Sequence, residues 1–286
     1  MLKQRVITAL VLLAVLIPAL LSSNTQIFMG LSLLLMTAGA WEWGRLNARS
    51  GKGSVVGGVV FFLVSVAAVD HGWAHELPQT LWWVVGAAWV FIGAWMLKTG
   101  VSGWSSLPSA GRWLCGLFFL LISWLSLIQA HARGVNFLLS VLALVWAADV
   151  VAYFSGRALG GKFFSGKLAP AISPGKTWEG AFGGWLGVLL LAGIWIVWDR
   201  VHPVGSASLH TLLWQQNKLL AFVAWAFLTM MSVVGDLVES LVKRSAGVKD
   251  SSALLPGHGG VLDRVDALLP VLPLAMMLVS WLEQRS

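Results

Sequence analysis

Long apolar runs recur along the whole chain, and short polar stretches separate them. Within each run the apolar residues are continuous rather than alternating, which favours helices over the strands of a membrane barrel. Helices also satisfy their backbone polar groups internally, as lipid requires. We therefore predict an all-α, polytopic integral membrane protein with about nine transmembrane helices. The predicted spans are residues 6–21, 27–43, 55–69, 81–97, 113–130, 135–156, 178–198, 219–242 and 263–282.

The composition supports a membrane protein. Of the 286 residues, 58% are hydrophobic and 11% are charged, whereas soluble domains carry about 25% charged residues. Several spans are nearer ~15 residues than the ~20 that a helical crossing requires, which makes their number approximate. The first span follows Lys3 and Arg5 and resembles a signal peptide. Because eight more apolar runs follow it, we interpret it as a retained first helix.

The basic residues predict the orientation of the chain. If the N-terminus is cytoplasmic and the spans alternate, most of the 19 basic residues fall inside, and the outside retains Arg133, Arg200, Lys218 and Arg285. We therefore expect a multi-pass protein of a bacterial-type inner membrane. The net charge of +7 suits an anionic lipid surface. It does not indicate a nucleic-acid partner, because the basic residues are divided among short loops.

The chain divides into two regions that differ in their polar content. Residues 1–134 form a tryptophan-rich, variable set of helices whose few charges lie at the span ends. Glu42 is the one acid close to a span here, and we interpret it as an interfacial carboxylate near Arg45. Residues 135–286 form the predicted catalytic region. Cys115 is the only cysteine, which excludes an intramolecular disulfide.

Polar and ionisable residues of the second region gather in four clusters that the predicted topology places on the cytoplasmic face. Ionisable groups at membrane depth are costly and indicate function. The clusters are "ADVVAYFSGRALGGKFFSGKLAP" (148–170), "SPGKTWEG" (173–180), "GDLVESLVKR" (235–244) and "KDSSALLPGHGGVLDRVD" (249–266).

The segment "GDLVESLVKR" predicts a helix with one polar face. Asp236, Glu239, Ser240 and Lys243 recur at helical spacing, so they share that face. An Asp and a Glu there form a candidate divalent-cation site with oxygen ligands suited to Mg²⁺. The alternative is an ion pair between Glu239 and Lys243, which leaves Asp236 unexplained.

The segment "PGHGGVLDRVD" predicts a glycine loop followed by a helix that begins near Val261. Asp263 and Asp266 would share a face of its first turn. Acids in a first turn also complement the helix dipole, and this alternative explains one aspartate better than two.

The segment "SPGKTWEG" predicts a helix start with Ser173 as N-cap, at which Lys176 and Thr177 donate toward phosphate. Asp149 lies inside an apolar run and is expected to face the polar site. Lys162 and Lys167 are phosphate-contact candidates, with a solvated topology loop as the alternative.

Together the clusters supply carboxylates for a metal, cations for phosphates and glycines for close approach. This combination points to metal-assisted phosphoryl or nucleotidyl transfer at the inner membrane face. The alternatives are an ion or phosphate transporter, whose acids would lie near mid-membrane, and a non-catalytic membrane scaffold.

The segment "SLVKRSAGVKDSSALLPGHGGVLDRVD" (240–266) resembles the signature of the phosphatidate cytidylyltransferases, or CDP-diacylglycerol synthases. "SPGKTWEG" and "GDLVES" resemble further blocks of that family, and the resemblance covers residues 146–270. Ala267 departs from the serine that many relatives carry. The resemblance implies transfer of CMP from CTP to phosphatidic acid, giving CDP-diacylglycerol and pyrophosphate. Membrane CTP-dependent lipid kinases of the polyprenol or phytol type, or an archaeal-type CDP-lipid synthase, are the runner-up.

The resemblance also implies roles for individual residues. Mg²⁺ would be bound by Asp236 and Asp263, with one or two cations in the site. The expected catalytic residues are Asp236, Asp263, Asp266, Lys249, His258 and Arg264. The expected substrate-binding residues are Asp149, Lys167, Ser173, Lys176, Thr177, Glu179, Glu239, Ser240, Lys243, Arg244, Asp250, Gly259 and Gly260.

Within this set the cations would neutralise phosphates, while Glu179 and Glu239 would hold those cations in place. Ser173 and Thr177 would position the phosphates, and His258 would donate to a phosphate oxygen or to the leaving pyrophosphate. A homodimer is one assembly that the sequence leaves open.

Overall fold

The computed structural model describes residues 2–47, 51–202 and 205–284 of the chain. Arg49 and Arg285, two of the basic residues that define the predicted orientation, lie outside these ranges. The helices are α1 (Leu2–Leu21), α2 (Thr25–Leu46), α3 (Gly51–Asp70), α4 (Gln79–Ser106), α5 (Ser109–Arg133), α6 (Val135–Leu159), α7 (Trp178–Val201), α8 (Leu209–Gln216), α9 (Lys218–Ser245), α10 (Leu262–Val265) and α11 (Leu268–Glu283).

Within the described ranges, nine helical segments are long and apolar enough to cross a membrane, the last of which joins α10 and α11. The prediction of an all-α polytopic membrane protein is confirmed. The helices are longer than the apolar runs because they continue into polar residues at their ends. For example, the run at 219–242 becomes a helix at 218–245, in which Asn217 caps the first turn by accepting a hydrogen bond from Leu220 N at 3.1 Å.

Helices α9 and α11 form the centre of the bundle. Helix α11 packs against α4, α5 and α9, and α9 also packs against α7 and α8. Val271 and Leu274 of α11 are fully buried, whereas Leu10 of α1 is 60% exposed, as expected for a side chain that faces lipid. Helices of residues 1–134 therefore pack directly on the helices that carry the polar clusters.

The segment before α7 forms an antiparallel hairpin, with β1 at Lys167–Ala169 and β2 at Ser173–Thr177. The prediction that a helix starts at Ser173 is wrong. The backbone of 173–177 pairs with β1 instead, and Thr177 is the N-cap of α7, accepting a hydrogen bond from Gly180 N at 3.0 Å. The cap lies at Thr177 because the apolar run of α7 begins only at Trp178.

Candidate active site

Polar side chains meet at one end of the helical bundle. The C-terminal ends of α2, α6 and α9 lie there with the hairpin, the start of α7 and the loop between α9 and α10. The four sequence clusters therefore converge, and they form two distinct environments. We call them the polar cavity, around Asp236, and the loop network, around Asp263.

The polar cavity lies between α6, α7, α9 and the hairpin and has a volume of about 480 Å³. The ionisable residues that line it are Asp149, Tyr153, Arg157, Lys176 and Asp236. Helices α6 and α7 can approach closely because Gly180 has no side chain. A Cβ at this position would lie 2.9 Å from the Ala152 carbonyl oxygen. This contact brings Asp149 of α6 to the same cavity as the hairpin lysine.

Asp236 is one of the two carboxylates that line the polar cavity. Its Oδ2 lies 2.6 Å from Lys176 Nζ, and its Oδ1 accepts a hydrogen bond from Ser240 Oγ at 3.2 Å. The Asp236 side chain is 30% exposed. A carboxylate and a lysine that both face an open cavity can exchange their mutual contact for a metal ion and a phosphate.

The loop network centres on Lys243 and Asp263. Lys243 Nζ lies 2.5 Å from Glu239 Oε2 and 2.6 Å from Asp263 Oδ1. The other oxygen, Asp263 Oδ2, accepts hydrogen bonds from Ser251 N, Ser251 Oγ and Gly260 N at 2.8–2.9 Å. The Asp263 side chain is 6% exposed. The Glu239–Lys243 ion pair is therefore present, and Asp263 lies in the first turn of α10 with its Oδ2 bound to the preceding loop.

Gly259 shows why this loop needs glycine. It has a φ of +83°, and a Cβ there would lie 2.7 Å from Asp263 Oδ2. The glycine thus allows the Asp263 carboxylate to approach the loop backbone.

Asp266 lies between the two environments. It interacts electrostatically with Asp236, with Lys243 and with Asp149. Its Oδ1 accepts a hydrogen bond from Ala267 N at 2.8 Å. Because α10 ends at Val265, Asp266 is the residue at which the chain turns from the loop network into α11.

Glu179 has a different role from the one predicted. It does not pair with a cation in the described part of the chain. Its Oε1 accepts hydrogen bonds from the backbone N–H groups of Gly161, Phe163 and Phe164 at 3.0–3.1 Å. Three backbone donors thus converge on one carboxylate oxygen and fix the turn between α6 and β1. The other oxygen, Oε2, is buried and has no hydrogen-bond partner within the described residues.

Several predicted cations contact backbone carbonyls. Lys167 Nζ donates to Pro174 O across the hairpin at 2.6 Å, and Arg244 Nε donates to Ile172 O at 3.5 Å. Arg264 Nη2 donates to His258 O at 2.7 Å. Their charges lie around the site but outside the lining of the polar cavity.

The remaining predicted residues lie in the strand and the loop. Ser173 lies in β2, opposite Ala169. Lys249 and Asp250 lie in the exposed part of the loop, and Asp250 approaches Gly259. Of the predicted set, the structure brings Asp149, Lys176, Thr177 and Asp236 to the polar cavity and brings Glu239, Lys243, Asp263 and Gly260 to the loop network.

The residues of the polar cavity fit Mg²⁺ in chemistry. Asp149 and Asp236 supply hard oxygen ligands, although no group of three or more His, Cys, Asp or Glu side chains within the described ranges could hold a metal alone. Mg²⁺ usually binds through one or two carboxylates together with substrate phosphates. Metal binding by Asp263 stays a prediction. Its Oδ2 binds the loop, so only Oδ1 could bind a metal, and Lys243 would then have to leave that oxygen.

Glu42 corrects a prediction made from the sequence. It is not an interfacial carboxylate beside Arg45; it is fully buried, and its oxygens accept hydrogen bonds from loop residues 251–262. Arg45 instead lies over the Trp41 ring, 5.0 Å from its centroid. The signal that could have identified Glu42 is its place as the one acid within an apolar span of the first region.

An apolar cavity of about 710 Å³ adjoins the polar cavity. It lies between α4, α7, α9 and the hairpin, and Trp178, Trp185 and Met230 are among its lining residues. The two cavities share the side chains of Leu168, Ala181 and Val233. A molecule with a charged head and apolar tails can therefore extend from one cavity into the other.

The fold and the site define a multi-pass membrane protein with an acid–lysine centre beside an apolar cavity, a design suited to a membrane-embedded transferase. The cytidylyltransferase family model matches residues 3–282, and the chain belongs to this family. The phosphatidate cytidylyltransferase of Pseudomonas aeruginosa is 37% identical over 282 residues, covering 96% of this chain and 95% of the relative.

Two further relatives carry the same name. The phosphatidate cytidylyltransferase of Haemophilus influenzae is 36% identical, covering 96% of each chain. That of Staphylococcus saprophyticus is 31% identical, covering 97% of this chain and 98% of the relative. The similarity thus includes the tryptophan-rich first region as well as the signature of residues 240–266, and it confirms the predicted family.

Proposed function

We propose that this protein transfers the cytidylyl group of CTP to phosphatidate in a Mg²⁺-dependent reaction. The products are CDP-diacylglycerol and pyrophosphate. The observation that carries the proposal is the adjacency of the polar cavity and the apolar cavity, which share three side chains. One substrate of this reaction is a soluble polyanion and the other is a lipid whose reacting group is a phosphate.

The polar cavity suits the reacting phosphates. The phosphate oxygen of phosphatidate attacks the α-phosphorus of CTP, a new P–O bond forms, and the bond to the β-phosphate oxygen breaks as pyrophosphate leaves. A phosphate monoester is largely dianionic at neutral pH, so the attack requires no strong base. The main requirement is to bring two polyanions together, and Lys176 and Arg157 supply positive charge where they would meet.

The ion pair between Lys176 and Asp236 holds both charged groups in the polar cavity before substrates bind. When the substrates bind, Lys176 would leave Asp236 for a phosphate oxygen, and Asp236 with Asp149 would bind Mg²⁺. Bound Mg²⁺ supplies charge neutralisation for the leaving pyrophosphate. Each charge would keep a partner in this exchange, because Lys176 would gain a phosphate oxygen and Asp236 would gain Mg²⁺.

The apolar cavity suits the part of the lipid next to its headgroup. Its walls come from α4, α7 and α9, and Trp178 at the start of α7 lies where the hairpin meets the helices. The acyl chains would leave the reacting phosphate through this cavity. A site toward one end of the bundle suits the headgroup of a lipid, whereas a transporter would hold its acids near mid-membrane.

The orientation and location form part of the same proposal. The basic residues favour the side of the polar clusters, which supports a site that faces the cytoplasm from a bacterial-type inner membrane. CTP would reach the site from that side. A homodimer stays a prediction, which the molar mass of the protein in detergent can test by light scattering.

The direct test is incubation of purified protein with labelled CTP, phosphatidate and Mg²⁺. We expect a lipid-soluble cytidine product and one pyrophosphate per product. Release of CDP without pyrophosphate would instead identify a CTP-dependent lipid kinase. Ion flux into liposomes without CTP turnover would identify a transporter.

A further inference from the structure

We propose that Glu42 is a positioning residue of the active site: its buried carboxylate on α2 holds the loop between α9 and α10 in its working shape. The proposal rests on the function proposed above and assigns it a residue from the first region of the chain. Glu42 does not line the polar cavity, so it acts through the residues that it holds.

Four donors converge on this carboxylate. Glu42 Oε1 accepts hydrogen bonds from Ser252 Oγ at 2.5 Å and Val261 N at 3.0 Å. Glu42 Oε2 accepts from Ser251 Oγ at 3.1 Å and Leu262 N at 2.8 Å. A buried carboxylate without a cation is costly unless hydrogen bonds satisfy it, and these four donors do so.

The loop depends on such an external anchor. Between Ser245 and Leu262 it contains no helix, and its regular pairing is a single bridge between Leu255 and Gly259. Gly257 and Gly259 both have positive φ, at +77° and +83°. A segment with so little internal pairing keeps one conformation only if other elements fix it.

Ser251 links Glu42 to the loop network. Its Oγ lies 3.1 Å from Glu42 Oε2 and 2.8 Å from Asp263 Oδ2, so two carboxylates share one hydroxyl hydrogen. Asp263 then pairs with Lys243 of α9, which lies two helical turns from Asp236. A shift of the loop therefore moves Asp263 and its partner Lys243, which lies on the same helix as Asp236.

The space around Glu42 leaves no room for a side chain at position 260. A Cβ on Gly260 would lie 2.3 Å from Glu42 Oε1 and 2.1 Å from Ser251 Oγ. The glycine thus permits the approach of the carboxylate to the backbone. A glutamine at position 42 would keep the size but would turn an NH₂ group toward two of the four donors.

The test is Glu42→Gln, with three readouts: kcat, the KM for phosphatidate and hydrogen exchange. We expect kcat to fall by about 10²-fold, the size of effect that follows small misplacement of reacting groups. The KM for phosphatidate should change less than about threefold, because the apolar cavity is untouched. Hydrogen exchange in peptides covering 250–262 should rise at least tenfold, while the centres of α9 and α11 keep their protection.

Ser32→Ala is the matched control on the same helix. Ser32 is buried and accepts a hydrogen bond from Trp124 Nε1 at 3.1 Å, but it lies away from the loop. This variant should lose some stability without a selective change in loop exchange or in kcat. An equal rise of exchange in α9, α11 and the loop of Glu42→Gln would show a general structural role and overturn the proposal.

Ser252→Ala tests the same contact from the loop side if Glu42→Gln does not fold. Loss of one hydrogen bond to a charged group should lower kcat about fivefold and raise exchange in the same peptides. Wild-type kcat and exchange in Ser252→Ala, or in Glu42→Gln, would refute the positioning role. If the wild-type protein makes no CDP-diacylglycerol, the proposed function fails, and the exchange data still decide whether Glu42 holds the loop.

Discussion

The polar cavity and the loop network both hold acidic side chains at the same end of the bundle, but these side chains differ in exposure and in the number of their partners. Asp236 is 30% exposed, and its two contacts are one lysine and one serine. Asp263 is 6% exposed, and it binds one lysine and three loop donors. The difference separates an acid that is free to meet ligands from an acid that shapes the loop. Motif resemblance alone assigns both to metal binding.

The largest expected effect is that of Asp236→Asn. We expect cytidylyl transfer to fall by at least about 10³-fold, because the amide can neither bind Mg²⁺ as a charged ligand nor balance Lys176. The melting temperature in detergent should change by less than about 3 °C, since the side chain is partly exposed. Turnover near the wild-type rate would remove Asp236 from the reaction.

Asp263→Asn should also lower activity strongly, but together with stability. Breaking one partner of a buried, hydrogen-bonded ion pair costs about 3–5 kcal/mol, so we expect a melting temperature lower by about 5 °C or more. Hydrogen exchange in residues 250–262 should rise in this variant and stay unchanged in Asp236→Asn. If the two variants behave alike in exchange and in melting, the comparison between the two environments is wrong.

Gly260→Ala disturbs the loop network without removing any charge. The added Cβ would meet Ser251 Oγ and Glu42 Oε1 at 2.1 and 2.3 Å, so the loop must move. We expect turnover to fall by about 30-fold, as misplacement near a reaction centre predicts. Gly111→Ala is the control, because a Cβ there meets nothing within 4 Å. Equal activity of the two variants would show that the loop tolerates displacement.

The smallest effect is expected for Lys176→Gln, on the polar cavity side. Loss of one cation facing the phosphates should raise the KM for CTP about tenfold, with a smaller change in the KM for phosphatidate. Lys218→Gln serves as a control, since Lys218 lies over the Trp214 ring at the other end of α9. An unchanged KM for CTP would exclude Lys176 from nucleotide binding.

Local signals in the sequence predicted most of the fold. The apolar runs predicted the helices. The helical spacing of Asp236, Glu239, Ser240 and Lys243 predicted a polar face, and the Ser240–Asp236 and Glu239–Lys243 contacts lie along it. The error at Ser173 arose because the pairing of β2 with β1 depends on a hairpin that no single-residue cap signal reports. Pairing with β1 outweighed the preference of Ser173 for the N-cap of a helix.

The roles of Glu42 and Glu179 could not be predicted because they depend on contacts between residues far apart in the sequence. Glu42 lies more than two hundred residues from the loop that it holds, and no spacing rule connects α2 to that loop. Glu179 resembled a partner for a cation, yet three backbone N–H groups converge on it after the α6–β1 turn folds. In both cases an acid meets backbone donors that only the tertiary fold brings near it.

The central claim, that nucleotide binds in the polar cavity around Asp236, is tested most directly by hydrogen exchange of the wild-type protein with and without CTP and Mg²⁺. We predict that CTP with Mg²⁺ protects peptides covering 149–157, 173–180 and 233–240. Protection confined to the opposite end of the bundle, around 129–136 and 205–211, would contradict the claim, as would unchanged exchange under conditions of turnover.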